Sequence, residues 1–441
     1  MKVFHLSTDK KKLDNLLANR DRKRVEQIPL VREIFEEVRK NGDKALLRYT
    51  EKFDKVSLKG PSELRIKKRQ VKGAYQKVDE EFVNALQLAK ANIEKFHTRQ
   101  KNGRESWHEE GEGAIVGEKY SALERVGVYA PGGEAPYPST VLMDIIPGKI
   151  AGVSEIIVAT PDVNPHVLVA ADLAGADQIF RIGGAQAIAA MAFGTETIPK
   201  VDKIIGPGNI YVAMAKLIVQ QETSVGIDMV AGPTEIMILA DGKGRVDFAV
   251  ADMLAQAEHG MSPLVILATT SEEFAKAIPA EAKKQMKKLK RAGIIEEALR
   301  EDAIIILVND IDEAIDLAND IAPEHLELQV ARPWECMEKI KNAGAVFIGD
   351  YTPESLGDYL AGPNHVLPTG GRAKFSSPLG VDDFLKKTNF IFSDRTHLRN
   401  SAKALTRLAE SEGFDAHAEA VRIRLKKSPM SKAHKKRGKN K

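Results

Sequence analysis

From about residue 121 onward, short continuous apolar runs alternate with stretches of helical periodicity, and this alternation restricts the fold more than any other feature of the chain. Strand-like runs fall at 155–160, 178–182 and 203–205, with helix-like segments at 166–175, 186–193 and 210–221 between them. A second round repeats the pattern. Strands are expected at 236–240, 264–268, 303–308, 325–330 and 345–348, with helices at 246–259, 311–321 and 334–342 and a charged helical stretch over 272–299. Strands that are apolar throughout, separated by helices, describe a parallel sheet covered on both faces. The expected fold is therefore α/β, with two Rossmann-like parallel-sheet units at 121–235 and 236–380. Residues 1–120 read as a mainly helical N-terminal region, and 381–441 as a helical C-terminal arm ending in a basic tail.

Composition narrows the class. With 43% hydrophobic and 29% charged residues, the 441-residue chain has an ordinary globular balance. No apolar run reaches the roughly 18 residues of a membrane span, so no membrane association is expected. No signal peptide is read at the start. A single cysteine excludes a disulfide framework and an all-cysteine zinc site, and points to the cytoplasm. The net charge is +3, but six basic residues and no acid lie in the last 14 positions, so the rest of the chain is mildly acidic. That tail reads as a solvated terminus; nucleic acid is not expected as a partner.

Two Rossmann-like units suggest a nucleotide, yet neither the G-x-G-x-x-G fingerprint nor a Walker A loop is present. Glycine clusters instead follow three strands of the first unit, at 129–133, 182–186 and 205–209. At the carboxyl edge of an open α/β sheet, such loops let the backbone approach a ligand, and helix N-termini attract phosphate. Of ten histidines, four sit in unusual contexts. His259 follows Gln256 by three positions at a helix end, so the two share a face. Glu324 and His325 stand side by side before an apolar run. Asp358 and His365 share a turn-rich loop, and Glu412 and His417 lie in the arm. These groups could form a zinc site of nitrogen and oxygen ligands. Composition alone does not choose its members.

The segments RVGVYAPGG (125–133), YPSTVLM (137–143), GGAQAIA (183–189), IDMVAGPTE (227–235), APEHL (322–326), GDYLAGPNHVLPT (357–369) and EGFDAHA (412–418) together resemble the histidinol dehydrogenase family, in family order. The resemblance implies a zinc-dependent, NAD-linked, four-electron oxidation of L-histidinol to L-histidine through the aldehyde and its hydrate. It implies Gln256, His259, Asp358 and His417 as zinc ligands, His325 as general base in both oxidations, and Glu324 as the group that activates water. Substrate contacts are expected from Thr234, Glu324, His325, Asp358, His365, Glu412 and the metal ligands. The family usually carries serine where Thr234 stands, and the hydroxyl is kept. NAD contacts are expected from Tyr129, Gln186 and Asn209, which fall in the three glycine clusters. Family members are homodimers in which the arm crosses to the partner, so Glu412 and His417 would complete the other subunit's site. For adjacent Glu324 and His325 to act on one substrate, the strand must bend where it begins. Cys336, on an expected helix near Met337 and Ile340, reads as core rather than as a thiol that holds the aldehyde.

Overall fold

The computed structural model describes residues 1–20, 28–132, 136–230, 232–260 and 262–426. The basic tail lies outside the described residues, as do Gly133 and Ala231 of the motifs above. The chain divides into two compact units, one of Met1–Asn102 with Ala122–Leu385 and one of Gly103–Ser121 with the chain from Lys386 onward.

Among the described residues the strands are β1 (Lys2–His5), β2 (Trp107–Gly111), β3 (Ala114–Ala122), β4 (Arg125–Tyr129), β5 (Glu155–Thr160), β6 (Gln178–Arg181), β7 (Lys203–Ile205), β8 (Gly226–Ile227), β9 (Glu235–Ala240), β10 (Leu264–Thr269), β11 (Ala303–Leu307), β12 (His325–Gln329), β13 (Ala345–Ile348) and β14 (Leu385–Ser393). The larger unit holds two parallel sheets. The first has the order β6-β5-β4-β7-β8. The helices Ile28–Asp54, Gly184–Phe193 and Ile210–Glu222 pack on one of its faces. Glu80–Lys101, Pro138–Ala151 and Pro165–Ala174 cover the other.

The second sheet has the order β1-β11-β10-β9-β12-β13. Alternate strand residues point to opposite faces. Ile236, Ile238, Val265 and Leu267 therefore pack with the helices Val246–Ala257, Glu272–Met286 and Ala292–Asp302. Met237, Leu239, Leu264 and Ile266 pack with Leu6–Arg20 and Ile311–Ile321. Each such side chain, moved from water into the core, contributes about 1.5–3 kcal/mol. Double coverage is why these strands can be apolar on both sides.

The smaller unit contains a three-stranded sheet in the order β14-β3-β2. Strands β2 and β3 form an antiparallel hairpin, with Glu112 and Gly113 at positive φ in its turn. The helices Arg395–Ser411 and Asp415–Leu425 follow.

Several elements differ from the sequence reading. Lys2–His5 is a strand that extends the second sheet beside β11, although nothing in four residues marks it as one. The regions read as helical also contain the hairpin β2–β3 and the strand β14. Trp107–Gly111 and Leu385–Ser393 are almost wholly exposed and Ala114–Ala122 is only partly covered; their apolar residues come in short stretches broken by polar ones, without the continuous run that betrayed the core strands. The charged stretch 272–299 breaks into two helices, and the helix expected over 334–342 ends at Met337.

Candidate active site

Strand β12 begins where the helix Ile311–Ile321 has just ended. Ala322 takes a left-handed conformation, Pro323 prevents the helix from continuing, and the backbone bends at Glu324. Gly344 permits the bend to sit against β13. A Cβ there would lie 2.5 Å from the Glu324 carbonyl oxygen. The result is that two consecutive side chains, which a straight strand would separate, converge. Glu324 Oε2 lies 3.8 Å from His325 Nδ1.

Each of the two is held from the neighbouring strand. Thr234 Oγ1 donates to Glu324 Oε2 at 2.7 Å, and the Glu235 amide donates to the same oxygen at 2.8 Å. His325 Nδ1 faces the Glu235 carbonyl oxygen at 3.0 Å. A carbonyl can only accept, so Nδ1 carries the proton and Nε2 keeps a lone pair. Nε2 is buried and makes no hydrogen bond; its nearest acid is Asp358 Oδ1, 3.9 Å away. Burial pulls the His325 pKa down to about 4, against the Asp358 charge and the Glu235 carbonyl, which favour the protonated form. Burial also pushes Glu324 up to about 8, although the Thr234 and Glu235 hydrogen bonds oppose it. A neutral imidazole with one free nitrogen and a carboxyl poised near neutral pH are suited to moving protons.

Beside this pair lies a set of ligand-type atoms. His259, Glu354 and Asp358 bring one such atom each within 4.8 Å of one another. His259 and Gln256 come from the C-terminal end of Val246–Ala257, whose carbonyl end favours a cation. Glu354 and Asp358 are one turn apart on Glu354–Tyr359 and share a face. Gln256 donates from Nε2 to Thr234 Oγ1 at 2.6 Å. Its Oε1 is thereby set against both Glu354 oxygens, at 2.8 and 2.9 Å. Two acceptors this close call for the amide to turn over, which lets Nε2 donate to Glu354 and Oε1 face Thr234 Oγ1. An oxygen and nitrogen donor set of this kind fits zinc.

His365 comes from the following loop. Its Nδ1 lies 2.7 Å from the Asp358 carbonyl oxygen, and its Nε2 lies 3.1 Å from Thr140 Oγ1 on the helix Pro138–Ala151. That second contact joins the site to the first sheet.

Thr234, Gln256, His259, Glu324, His325, Asp358 and His365 thus occupy one region of the larger unit. Glu412 and His417 belong to the smaller unit, where both are exposed and the His417 ring lies 5.2 Å from that of Phe414. Glu354 and Thr140 were missed in the sequence. The signal for Glu354 was present, since it precedes Asp358 by one helical turn. This region lies where β9 and β12 begin, at the amino edge of the second sheet.

The three expected cofactor contacts lie instead at the carboxyl edge of the first sheet. Tyr129 OH accepts from the Gly184 amide at 3.0 Å. A Cβ on Gly206 would lie 2.3 Å from the Tyr129 carbonyl oxygen, so the three glycine clusters meet at this residue. The Gln186 Nε2 is buried and unpaired. Asn209 caps the helix Ile210–Glu222 through the amides of Tyr211 and Val212, at 3.1 and 3.2 Å. A cavity of about 380 Å³ opens at the same edge, lined by Phe53, Asp54, Gly132, Asp162 and Arg181 among others.

A family model described as histidinol dehydrogenase matches residues 17–425 of the chain. Histidinol dehydrogenase of Clostridium acetobutylicum is 49% identical over 421 residues, covering 94% of this chain and 96% of the relative. That of Geobacter metallireducens is 47% identical over 407 residues, covering 91% and 92%. The crystal structure of histidinol dehydrogenase from Elizabethkingia anophelis aligns with a TM-score of 0.89 at 39% identity, covering 96% of this chain and 98% of that one.

Proposed function

The chain belongs to the histidinol dehydrogenase family, and from that premise we propose that it carries L-histidinol through to L-histidine with zinc and two molecules of NAD. Oxidation of histidinol in histidine biosynthesis is the family's activity, and the chain is an oxidoreductase. The observation that carries the finer reading is the state of His325. Its Nδ1 is committed to the Glu235 carbonyl, and its Nε2 is buried without a partner beside a ligand cluster.

His325 Nε2 takes the hydroxyl proton as the carbinol carbon loses hydride, which converts alcohol to aldehyde. Glu324, as carboxylate, takes a proton from a water that adds to the aldehyde carbon, while protonated His325 returns its proton to the carbonyl oxygen; this gives the hydrate and a neutral imidazole. His325 Nε2 then takes a hydrate hydroxyl proton as the second hydride leaves, which yields the acid. NAD would supply the hydride acceptor twice, at the edge lined by Tyr129, Gln186 and Asn209. Zinc, held by Gln256, His259 and Asp358 with His417 as the fourth protein ligand, would supply a template that orients the substrate and favours negative charge on its oxygen. Thr234, His365 and Glu412 are assigned to substrate binding. In this role Thr234 also fixes Glu324, and Thr140 and the Asp358 carbonyl fix the His365 ring.

The composition of the smaller unit supports a homodimer in which the arm completes the partner's site. Among the described residues from 385 to 426, Ala418 alone is buried, while Ile391, Phe392, Leu408, Phe414 and Ile423 are exposed. A strand and two helices with so little interior of their own need another surface to cover them. The cytoplasm is the assigned compartment; no helix among the described residues is long and apolar enough to cross a membrane.

The test is NADH formed per histidine by zinc-loaded protein supplied with L-histidinol. Two NADH per histidine, abolished by a chelator and restored by zinc, is the expected result. Absence of NADH from folded, zinc-bound protein would remove the substrate assignment.

A further inference from the structure

Behind the base, β12 is polar on one side. Leu326 and Leu328 point into the core, whereas His325, Glu327 and Gln329 share the opposite face, and all three are buried. Facing them, Val246–Ala257 presents Asp252 and Gln256 one turn apart. The side chains interlock. Glu327 Oε2 accepts from Gln329 Nε2 at 2.9 Å, and Gln329 Nε2 also reaches Asp252 Oδ2 at 3.1 Å. Gln329 Nε2 thus stands between the Glu327 and Asp252 carboxyls, and burial raises the pKa of both. The remaining oxygen, Glu327 Oε1, accepts from the backbone amide of Glu354 at 3.0 Å.

That last bond matters because of what precedes it. The first amides of a helix have no partner within it and are ordinarily satisfied by a side chain just upstream. The residue upstream of Glu354 is Pro353, which has no side-chain acceptor, and no side-chain cap forms there. Glu354 is itself buried at 1% exposure, so water is no substitute. An acceptor from another strand fills the gap, and it stands two residues after the base.

We infer that Glu327 is a positioning residue: by accepting from the Glu354 amide it ties the helix that carries Glu354 and Asp358 to the strand that carries His325, and so sets the metal-binding carboxylate of Asp358 at a fixed separation from the base. Gln329 satisfies the other oxygen of the buried carboxyl and holds it to this task. The inference rests on the zinc reading above. Partners one step removed from a metal commonly account for about 10- to 100-fold in its affinity.

The experiment measures the zinc dissociation constant of the full chain by competition with a chromophoric chelator, beside thermal unfolding of each variant. Glu327→Leu should raise the zinc Kd about tenfold or more. Glu327→Gln, whose amide oxygen still accepts from the Glu354 amide, should stay within about threefold of the unaltered protein. Gln329→Leu, which cuts the link to Asp252 but spares the Glu354 bond, should lower the melting temperature and leave the zinc Kd unchanged. If Glu327→Leu does not fold, Glu327→Asp carries the test: it withdraws the carboxyl by one methylene and should raise the Kd at least about threefold. Glu327→Leu or Glu327→Asp that binds zinc as tightly as the unaltered protein overturns the inference. So does Glu327→Gln that weakens binding as much as Glu327→Leu. Failure of the unaltered protein to bind zinc would instead refute the zinc reading, and this inference with it.

Discussion

Asp144 is an acid placed where an acid is costly, and its replacement by asparagine should stabilise the protein in a pH-dependent way. It lies one turn past Thr140 on Pro138–Ala151, fully buried, with neither carboxyl oxygen hydrogen-bonded. The cation nearby is already engaged: Lys216 Nζ pairs with Asp228 and donates to the Gly206 carbonyl at 2.9 Å. Burial, together with the Asp228 charge, pushes the Asp144 carboxyl well above its ordinary 3.8, and Lys216 offsets this only in part. A folded-state pKa above the unfolded one means that the unfolded chain releases this proton first. Stability is therefore intact below about pH 4 and is lost as pH rises from there towards the folded value. An asparagine side chain has the same shape and nothing to ionise. Its advantage over the native side chain should be near zero at pH 4 and grow by about 1.4 kcal/mol per pH unit until the folded value is passed. Urea unfolding of Asp144→Asn and the unaltered protein at pH 4, 5, 6 and 7, at one protein concentration, measures it. A stability difference that is flat across that range, or that favours aspartate at pH 7, would refute the argument.

Three further outcomes are expected. Lys216→Met, which strands Asp228 in the core without its cation, should cost about 3–5 kcal/mol in urea unfolding. Because the Glu324 carboxyl titrates at about 8, the hydration of the aldehyde should quicken as pH rises through that value and level off above it; Glu324→Gln should slow that step about 10²- to 10⁴-fold while the first NADH still forms, as single-turnover kinetics with a hydrazine trap for the aldehyde will read. Cys336→Ala should leave the yield of NADH per histidine unchanged, because the thiol is buried in the core and burial raises its pKa; a lost second NADH would restore a thiol route.

The core strands were legible because both faces of each sheet are covered. A residue such as Ile236 or Met237 is apolar whichever way it points, and the run stands out. The strands Trp107–Gly111 and Leu385–Ser393 have no such coverage within their own unit, and their composition gave no period to detect. The glycine clusters were legible for a related reason. Gly206 sits at φ 110° with a carbonyl where its side chain would be, and only one residue type fits. The proposed catalytic pair, Glu324 and His325, was visible as adjacent polar residues before an apolar run, but its geometry was not. That geometry depends on the bend at Glu324 and on Glu235 lending its amide to Glu324 and its carbonyl to His325. A backbone group has no letter in the sequence. Nor did the carboxyl-edge rule for ligands extend to the second sheet, where Thr234, Glu324 and His325 cluster at the opposite edge.

The pairing of Lys2–His5 with Ala303–Leu307 sets an order on how the molecule can be assembled. The two partners are separated by about 300 residues, so on the ribosome the first strand emerges long before its place in the sheet exists. During that interval the helices and strands of the first sheet can close on themselves, since β4 to β8 span little more than 100 residues. The second sheet acquires its edge strand only after β11 has been made, and until β1 docks β11 exposes unpaired backbone to any neighbouring chain. Large loop closure of this kind is slow and favours late docking. A substitution in Lys2–His5 would therefore show itself in the yield of folded protein and in aggregation during synthesis before it altered any property of the finished enzyme.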